Sequence, residues 1–579
     1  MSSTVRFPRG ASPAARLSFI RRQIVGRDLA FAAPFGPRHM LYADYTASGR
    51  ALAFVEQTLF DIQKSYANTH TEDDYSGKHM TRLLHDAERR IKRHVNAGPG
   101  GKLFAVGSGS TGALKKLQEI IGVYVPPVTR ERLVLVAASA GLDLEAAASA
   151  LKPVVFIGPY EHHTNELMWR EAWAEVRVVG FGPDGMMDLE ALERGLADPA
   201  IAGRTRFGSF SAGSNITGLR TRVYDVARIC HRHGAPVFFD FAAVAPYVKI
   251  DMNRDAASSF DAIFFSPHKF LGGPGSCGIL VMNERLYRRD LPPTTAGGGT
   301  VVYVGRRHHD YAEDIETRET AGTPPILQTI RAALAMEVKD GLGVREIERV
   351  ERGHLRRFLE GLAGIPGVRL VGRYDTGDLT PIVSFNIVHG ERILHPKFVT
   401  KLLNDLFGIQ SRAGCSCAGP YGHTLLEIDD ATSVRFRDVV TCGLQGIKPG
   451  WVRINLHFTF TPRDIDFLLK AIRFVARRGE LFLASYAFDF ATGEWRFAGF
   501  REAPVAASVD GDFSARTVNL ARLETLRAGY FRRAEGEARR LERRGAMRFA
   551  ADVDDLESLK SFDYVIKAPA VRSARMRRA

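Results

Sequence analysis

Between about residue 130 and residue 265 the chain alternates short, mainly apolar runs with longer stretches of helical periodicity, and this alternation constrains the fold more than any other feature. The runs are Leu133 to Val136, Val154 to Ile157, Val176 to Val179, Phe207 to Phe210, Val237 to Phe239 and Ala262 to Phe265. Strands that are apolar on both faces and separated by helices predict a mainly parallel sheet covered on both sides, with ligands at the carboxyl ends of the strands. Such a large α/β domain occupies residues 41–343 in this reading. A smaller α+β domain follows over 344–480, with helices near 345–362 and 463–477 and strands near 381–388 and 450–458.

Two of those strand ends carry chemistry. Asp261-Ala262-Ile263-Phe264-Phe265-Ser266-Pro267-His268-Lys269 runs from an apolar strand into Ser-Pro, sets a histidine and a lysine side by side, and breaks into the turn Phe270 to Ser276. A lysine held where an apolar strand meets a tight turn is open to desolvation, which lowers its pKa and supplies the neutral amine that Schiff-base chemistry needs. The competing reading is a surface lysine in a hairpin. Upstream, Ala235 to Phe239 ends in Asp240, and pyridoxal phosphate enzymes pair their lysine with a carboxylate on the pyridinium nitrogen. An aspartate at a strand end also serves as a turn or cap residue.

Other segments point the same way. Val106-Gly107-Ser108-Gly109-Ser110-Thr111-Gly112 opens a helical pattern, so backbone N–H groups and hydroxyls meet at the positive end of a helix dipole, as a phosphate requires. Glu161-His162-His163 follows an apolar strand and the turn Gly158-Pro159, where a structural histidine is the ordinary alternative. Arg412-Ala413-Gly414-Cys415-Ser416-Cys417 places a guanidinium near two thiols, and a nearby cation favours the reactive thiolate. Cys415, Cys417 and His423 are a weak zinc candidate because no second pair accompanies them, and inert loop cysteines are a further alternative. Arg453 lies in the segment Trp451-Val452-Arg453-Ile454-Asn455, and a planar guanidinium suits a bidentate carboxylate clamp.

Taken in order, Ser266-Pro267-His268-Lys269, Asp240 and Ser214-Asn215-Ile216-Thr217-Gly218 resemble the class V aminotransferase family of fold-type I pyridoxal phosphate enzymes, nearest its cysteine desulfurase and selenocysteine lyase branch. The resemblance spans about residues 40–480. It implies that pyridoxal 5'-phosphate is bound at Lys269, that Asp240 meets its pyridinium nitrogen, and that Ser110, Thr111, Ser266 and His268 hold its phosphate. It implies further that Thr323 reaches the phosphate of a neighbouring subunit in a homodimer with shared active sites. His162 would stack on the ring and move protons, and Asn215 would lie beside the phenolic oxygen. Arg453, with Arg412 nearby, would hold the carboxylate of an amino acid substrate, and Cys417 would carry a persulfide for a sulfur acceptor protein. Molybdenum cofactor sulfurases show a similar Arg-x-Gly-Cys-x-Cys pattern, although no matching C-terminal domain is recognisable. Desulfurases of the family usually have a glutamine three residues after the aspartate, and Ala243 stands there instead. That departure keeps open an aminotransferase, epimerase or other lyase on the same site, and a coenzyme-binding sulfur-transfer scaffold is the third reading.

The remaining features set limits. Net charge is +14, yet the basic residues are dispersed among acidic ones, which argues against a nucleic-acid footprint. The Arg-rich stretch 572–578 reads as a solvated terminus. Five cysteines, at 230, 277, 415, 417 and 442, are too few for a disulfide framework and fit a reducing cytoplasm. No apolar run reaches membrane-spanning length. Residues 1–40 form an N-terminal segment whose first 27 residues are Arg-rich and free of acids. That composition imitates a transit peptide, but Leu17, Ile20 and Ile24 favour a short amphipathic helix. Residues 481–579 form an extension with strand-like aromatics over 484–500, a helical pattern over 515–544, and no evident chemistry; packing or oligomer contact is its expected role.

Overall fold

The computed structural model describes residues 7, 10–69, 71–375, 377–501, 516–545, 547, 549–550 and 554–565. The basic stretch 572–578 lies outside them. Two compact units divide the chain, the first comprising residues 1–25, 45–352 and 373–381, the second 26–44, 353–372 and 382–579.

In the first unit, helix α1 (Pro13–Gln23) is capped by Ser12 and buries Leu17 and Ile20, so the amphipathic reading of that segment describes its structure. The unit is built on seven strands: β1 (Gly101–Val106), β2 (Val154–Ile157), β3 (Glu175–Val178), β4 (Arg206–Ser211), β5 (Val237–Asp240), β6 (Ala262–Phe265) and β7 (Gly278–Asn283). They lie in the order β1-β7-β6-β5-β4-β2-β3. The neighbours from β6 to β3 are parallel, whereas β7 is antiparallel to both β6 and β1. Every residue of β2, β5 and β6 is buried, which is why these strands read as unbroken apolar runs. Burying one such Val, Ile or Phe side chain contributes roughly 1.5–3 kcal/mol. The register sets Ser211 opposite Asp240 and Asp240 opposite Phe264, so the carboxyl ends of β4, β5 and β6 are level.

One expected strand is a helix. Leu133 to Val136 lie within α2 (Pro127–Ser139). The run itself fits either period, but Pro127 occupies the first helical turn and helix formers flank the run on both sides. All four side chains are exposed, Val136 at 66%, whereas a strand inside the sheet would bury them.

In the second unit, β8 (Val368–Leu370), β9 (Ile382–His389), β10 (Arg412–Gly414) and β11 (Trp451–Asn455) form an antiparallel sheet in the order β8-β9-β11-β10. Helix Pro396–Phe407 packs against it, and helix Pro462–Arg478, opened by a Thr461/Asp464 capping box, packs against that helix. Two differences from the expected boundaries follow. Residues 41–44, placed at the start of the large domain, join this unit, because Leu41 N–H donates to Gly408, Ala43 N–H to Gln410, and Asn455 N–H to Ala43. The cut expected at 343 falls at 352, within the continuous helix Val344–Ala363.

The extension is also part of the second unit. Strands Tyr486–Asp489 and Glu494–Phe497 pair as a hairpin, and helix Leu523–Glu542 buries Tyr530, Phe531, Ala534, Ala538 and Leu541.

Candidate active site

In the first unit β6 ends at Phe265, and Pro267–Lys269 form a single 3-10 turn. The chain closes tightly behind it: a Cβ on Gly273 would stand 1.9 Å from the carbonyl oxygen of Pro267. That closure fixes where Lys269 leaves the backbone. Asp240 ends the neighbouring strand, is 3% exposed, and accepts a hydrogen bond from Ala242 N–H (2.8 Å) through Oδ1. Its Oδ2 has no hydrogen-bond partner among the described residues. Burial pushes the Asp240 carboxyl up to about 6, and the Lys269 ammonium pulls the other way. The Lys269 charge is thus within electrostatic reach of the Asp240 carboxylate.

The Gly/Ser loop enters helix Gly109–Ile120 through Gly109, whose φ of +57° suits glycine. A Cβ there would meet Ser266 Oγ at 2.8 Å. Ser110 N–H donates to Ser266 Oγ (2.8 Å), and Thr111 Oγ1 lies 2.8 Å from Thr164 Oγ1. Ser110, Thr111 and Ser266 are therefore gathered at one helix amino terminus, the arrangement an anionic phosphate requires. Burial, with the Lys269 charge beside it, pushes His268 down to about 4 and keeps it neutral near pH 7.

His162 caps helix His163–Arg170 by accepting from Thr164 N–H (3.1 Å) through Nδ1, which places the proton of the neutral ring on Nε2. Its neighbour Glu161 is buried and accepts from Ser211 N–H and Oγ, Asn165 Nδ2 and Gly158 N–H. Burial nonetheless pushes that carboxyl up to about 7. Asn215 and Ala243 are both buried, at 7% and 8% exposure. Thr323 is exposed and accepts from Asn68 Nδ2 (3.2 Å).

A buried carboxylate with one oxygen lacking a hydrogen-bond partner among the described residues, a lysine within electrostatic reach of it and a hydroxyl-lined helix terminus fit a cofactor with a cationic ring N–H, an aldehyde and a phosphate. Pyridoxal phosphate has all three.

In the second unit Arg453 is 4% exposed at the centre of β11 and donates to Asp44 Oδ1 (3.0 Å). Arg412 donates to Asp44 Oδ2 (2.9 Å). Sequence reasoning gave Asp44 no role, since its partners lie hundreds of residues away. Burial lowers the Arg453 pKa against the pull of Asp44, and Cys417 lies within electrostatic reach of the same guanidinium. Cys417 is exposed and Cys415 half-buried. Ser416 and Cys417 both adopt left-handed backbone, with φ of 50° and 58°, a conformation costing non-glycine residues of order 1–3 kcal/mol each. Among the described residues no three of His, Cys, Asp and Glu converge to hold a metal, and no helix is long and apolar enough to cross a membrane.

Chemistry-bearing side chains at the carboxyl ends of a mostly parallel sheet are the layout of an α/β enzyme. Residues 123–468, more than half of the chain, match the sequence model of the aminotransferase class-V family, and the chain belongs to that family. An Escherichia coli cysteine desulfurase is 28% identical over 345 residues, covering 58% of this chain and 80% of the relative. A probable cysteine desulfurase from Halalkalibacterium halodurans is 27% identical over 438 residues, covering 75% and 92%. Among solved structures, an apo cysteine desulfurase from Thermococcus onnurineus NA1 superposes with a TM-score of 0.60 at 20% identity, over 79% of this chain and 98% of its own. The Escherichia coli cysteine desulfurase CsdA gives 0.57 at 20%, over 80% and 98%.

Proposed function

We propose that the protein is a pyridoxal phosphate-dependent enzyme of the cysteine desulfurase type, acting on cysteine or a close analogue as a homodimer and passing sulfur to an acceptor protein. The observation that carries the coenzyme is the buried Asp240, one oxygen without a hydrogen-bond partner among the described residues, within electrostatic reach of Lys269. Kinship with cysteine desulfurases over most of the chain supports the reaction type.

Ser110, Thr111 and Ser266 would hold the coenzyme phosphate, Asp240 the ring nitrogen and Lys269 the aldehyde carbon. When bound, the coenzyme supplies an electron sink for bonds broken at the substrate Cα and Cβ. Arg453 orients the substrate by its carboxylate. Lys269 or His162 Nε2 moves the Cα proton. The Cys417 thiolate attacks the substrate sulfur; an S–S bond forms, the Cβ–S bond breaks with its electron pair left on the carbon side, and protonation there gives alanine. The product on the protein is a Cys417 persulfide, which the acceptor's thiolate relieves of its outer sulfur.

Purified holoprotein is expected to release alanine and reducible sulfur from cysteine in equal amounts, and Lys269→Ala to abolish both. Amino-group transfer to a keto acid without sulfide would replace this reading with the aminotransferase one, and a bound coenzyme without turnover would replace it with a scaffold.

A further inference from the structure

Two helices of the second unit, Pro462–Arg478 and Leu523–Glu542, run side by side in the same direction. Arg527 pairs with Asp464 (2.6 Å) near their amino ends and Arg478 with Glu542 (3.1 Å) at their carboxyl ends. Between these two ties lies an open groove of about 1450 Å³. Fifteen helical residues give it a length of about 22 Å, enough for about seven residues of extended chain.

Its charge is one-sided. Lys470, Arg473 and Arg477 project from the first helix and Arg532 and Arg539 from the second, all exposed. None of these five has a carboxylate within 4.0 Å among the described residues. The nearby acids do little to offset them: Asp466 is held by Arg357 in a bidentate pair (2.7 Å), and Glu535 is the one other acid in the lining. Helix dipoles account for cations in a last turn, such as Arg477 and Arg539. Lys470, Arg473 and Arg532 lie too far from the carboxyl ends for that explanation. The floor is apolar, formed by Leu469, Phe474 and Phe531, and Ala528 and Gly536 leave it open on the second helix. A Cβ on Gly536 would meet nothing within 4 Å.

We propose that this groove is a docking site for an acidic, amphipathic segment of a partner protein, with carboxylates on the arginine rim and an apolar side chain on the phenylalanine floor. Nucleic acid fits the floor less well. Strand binding uses open aromatic faces for base stacking, but the Phe531 ring carries the Lys470 ammonium at 4.3 Å and packs on Phe407 at 4.7 Å. Phe474 is likewise packed edge-on against Phe407, at 5.5 Å. A mixed rim of forked guanidinia over an apolar floor matches peptide carboxylates and aliphatic groups. The inference does not depend on the reaction assigned to the active site.

The test titrates full-length protein with a fluorescein-labelled peptide of about ten residues alternating Glu and Leu, in parallel with a single-stranded RNA of equal charge and with phosphatidylserine vesicles. Arg473→Glu/Arg477→Glu is expected to weaken peptide binding about tenfold or more. The milder Arg532→Gln/Arg539→Gln is expected to weaken it in the same direction, and it carries the test if charge reversal impairs folding. Arg89→Glu/Arg194→Glu, on helices of the other unit, is expected to leave binding unchanged. Equal affinity in the wild type and both groove variants would overturn the proposal. So would tighter binding of RNA or vesicles than of peptide, lost in those same variants, which would assign the groove to a phosphate polymer or a lipid surface.

Discussion

Asp44 holds the buried guanidinium of Arg453 at 3.0 Å and, through its other oxygen, that of Arg412 at 2.9 Å. Two cations sharing one carboxylate leave one positive charge over, which is the charge the proposed role of Arg453 toward a substrate carboxylate requires. Removing the anion leaves Arg453 buried without its partner carboxylate and next to a like charge, a change that costs roughly 3 kcal/mol. Asp44→Asn is therefore expected to lower the urea midpoint strongly. Arg412→Gln in the same chain should restore part of the loss by relieving the repulsion. An Asp44→Asn protein as stable as the wild type would show that the contact is not an energetic one.

Asp240 gives the coenzyme-free protein a pH signature. Its carboxyl is raised from the ordinary value of 3.8 to about 6, so the folded state binds that proton more tightly than the unfolded chain. The resulting contribution to stability is complete below about pH 4 and fades as pH rises through about 6, reaching roughly 3 kcal/mol in total. Asp240→Asn cannot titrate. Its unfolding free energy should therefore vary less than the wild type's between those two values, while its coenzyme affinity falls. Denaturant titrations of both apo-proteins at several pH values check this, and parallel profiles would contradict it.

The loop proposed to hold the coenzyme phosphate offers a test independent of the reaction chemistry. Ser266 Oγ accepts from Ser110 N–H and sits where a Cβ on Gly109 would intrude. Gly109→Ala strains a backbone of φ +57° and pushes Ser266 aside, so coenzyme dissociation should quicken and its Kd rise about tenfold, a loss of about 1.4 kcal/mol. Ser266→Ala should act in the same direction by a smaller factor. Fluorescence titration of the apo-protein with pyridoxal phosphate measures both.

The sheet was legible because β2, β6 and β5 up to Phe239 are buried on both faces and apolar throughout, a pattern that needs no long-range information. Leu133 to Val136 carried the same local signal and were misread, because apolar β-branched runs suit either element until burial is known. Lys269 and Asp240 could be placed at the same sheet edge from sequence, since Asp240 ends β5 and Lys269 follows the end of the adjacent parallel strand β6 by one tight turn. Asp44 could not be assigned its two arginines, because contacts bridging 368 and 409 residues leave no local trace. The groove beside helix Leu523–Glu542 was hidden for the same reason: its charge is divided between two helices, and along the chain it reads as ordinary interleaved surface.

The extension is expected to matter for stability as well as binding. Tyr530 OH accepts from His39 N–H (2.9 Å), and the buried Arg38 guanidinium lies 4.6 Å over the same ring. Arg38 also donates to Leu406 O (2.6 Å), and Tyr486 OH donates to the buried Asp405 (2.8 Å). Tyr530→Ala removes a fully buried ring and should cost roughly 3–5 kcal/mol, so truncation before residue 523 is expected to yield an insoluble or unfolded protein. A soluble truncated chain with a wild-type thermal midpoint would reduce the extension to an appendage.

Cys417 tests the reaction itself, and Cys415 provides the control two residues away. Both sit in one loop, but Cys417 is exposed and left-handed in backbone, while Cys415 is half-buried. If Cys417 is the nucleophile, Cys417→Ala leaves coenzyme and substrate binding intact, since Lys269, Asp240 and Arg453 are untouched. It should lower alanine release by about a hundredfold or more, in the range expected when an attacking group is lost. Cys415→Ala should stay close to wild type. Mass spectrometry of protein quenched during turnover should find one added sulfur on the peptide containing Cys417, removable by dithiothreitol and absent from Cys417→Ala. Replacement of the left-handed residue by glycine, in Cys417→Gly, separates chemistry from strain: it relaxes the backbone but supplies no thiol. The two variants should be equally inactive, with Cys417→Gly the more stable. Turnover retained in either would move the sulfur-accepting role to Cys415 or to an external thiol.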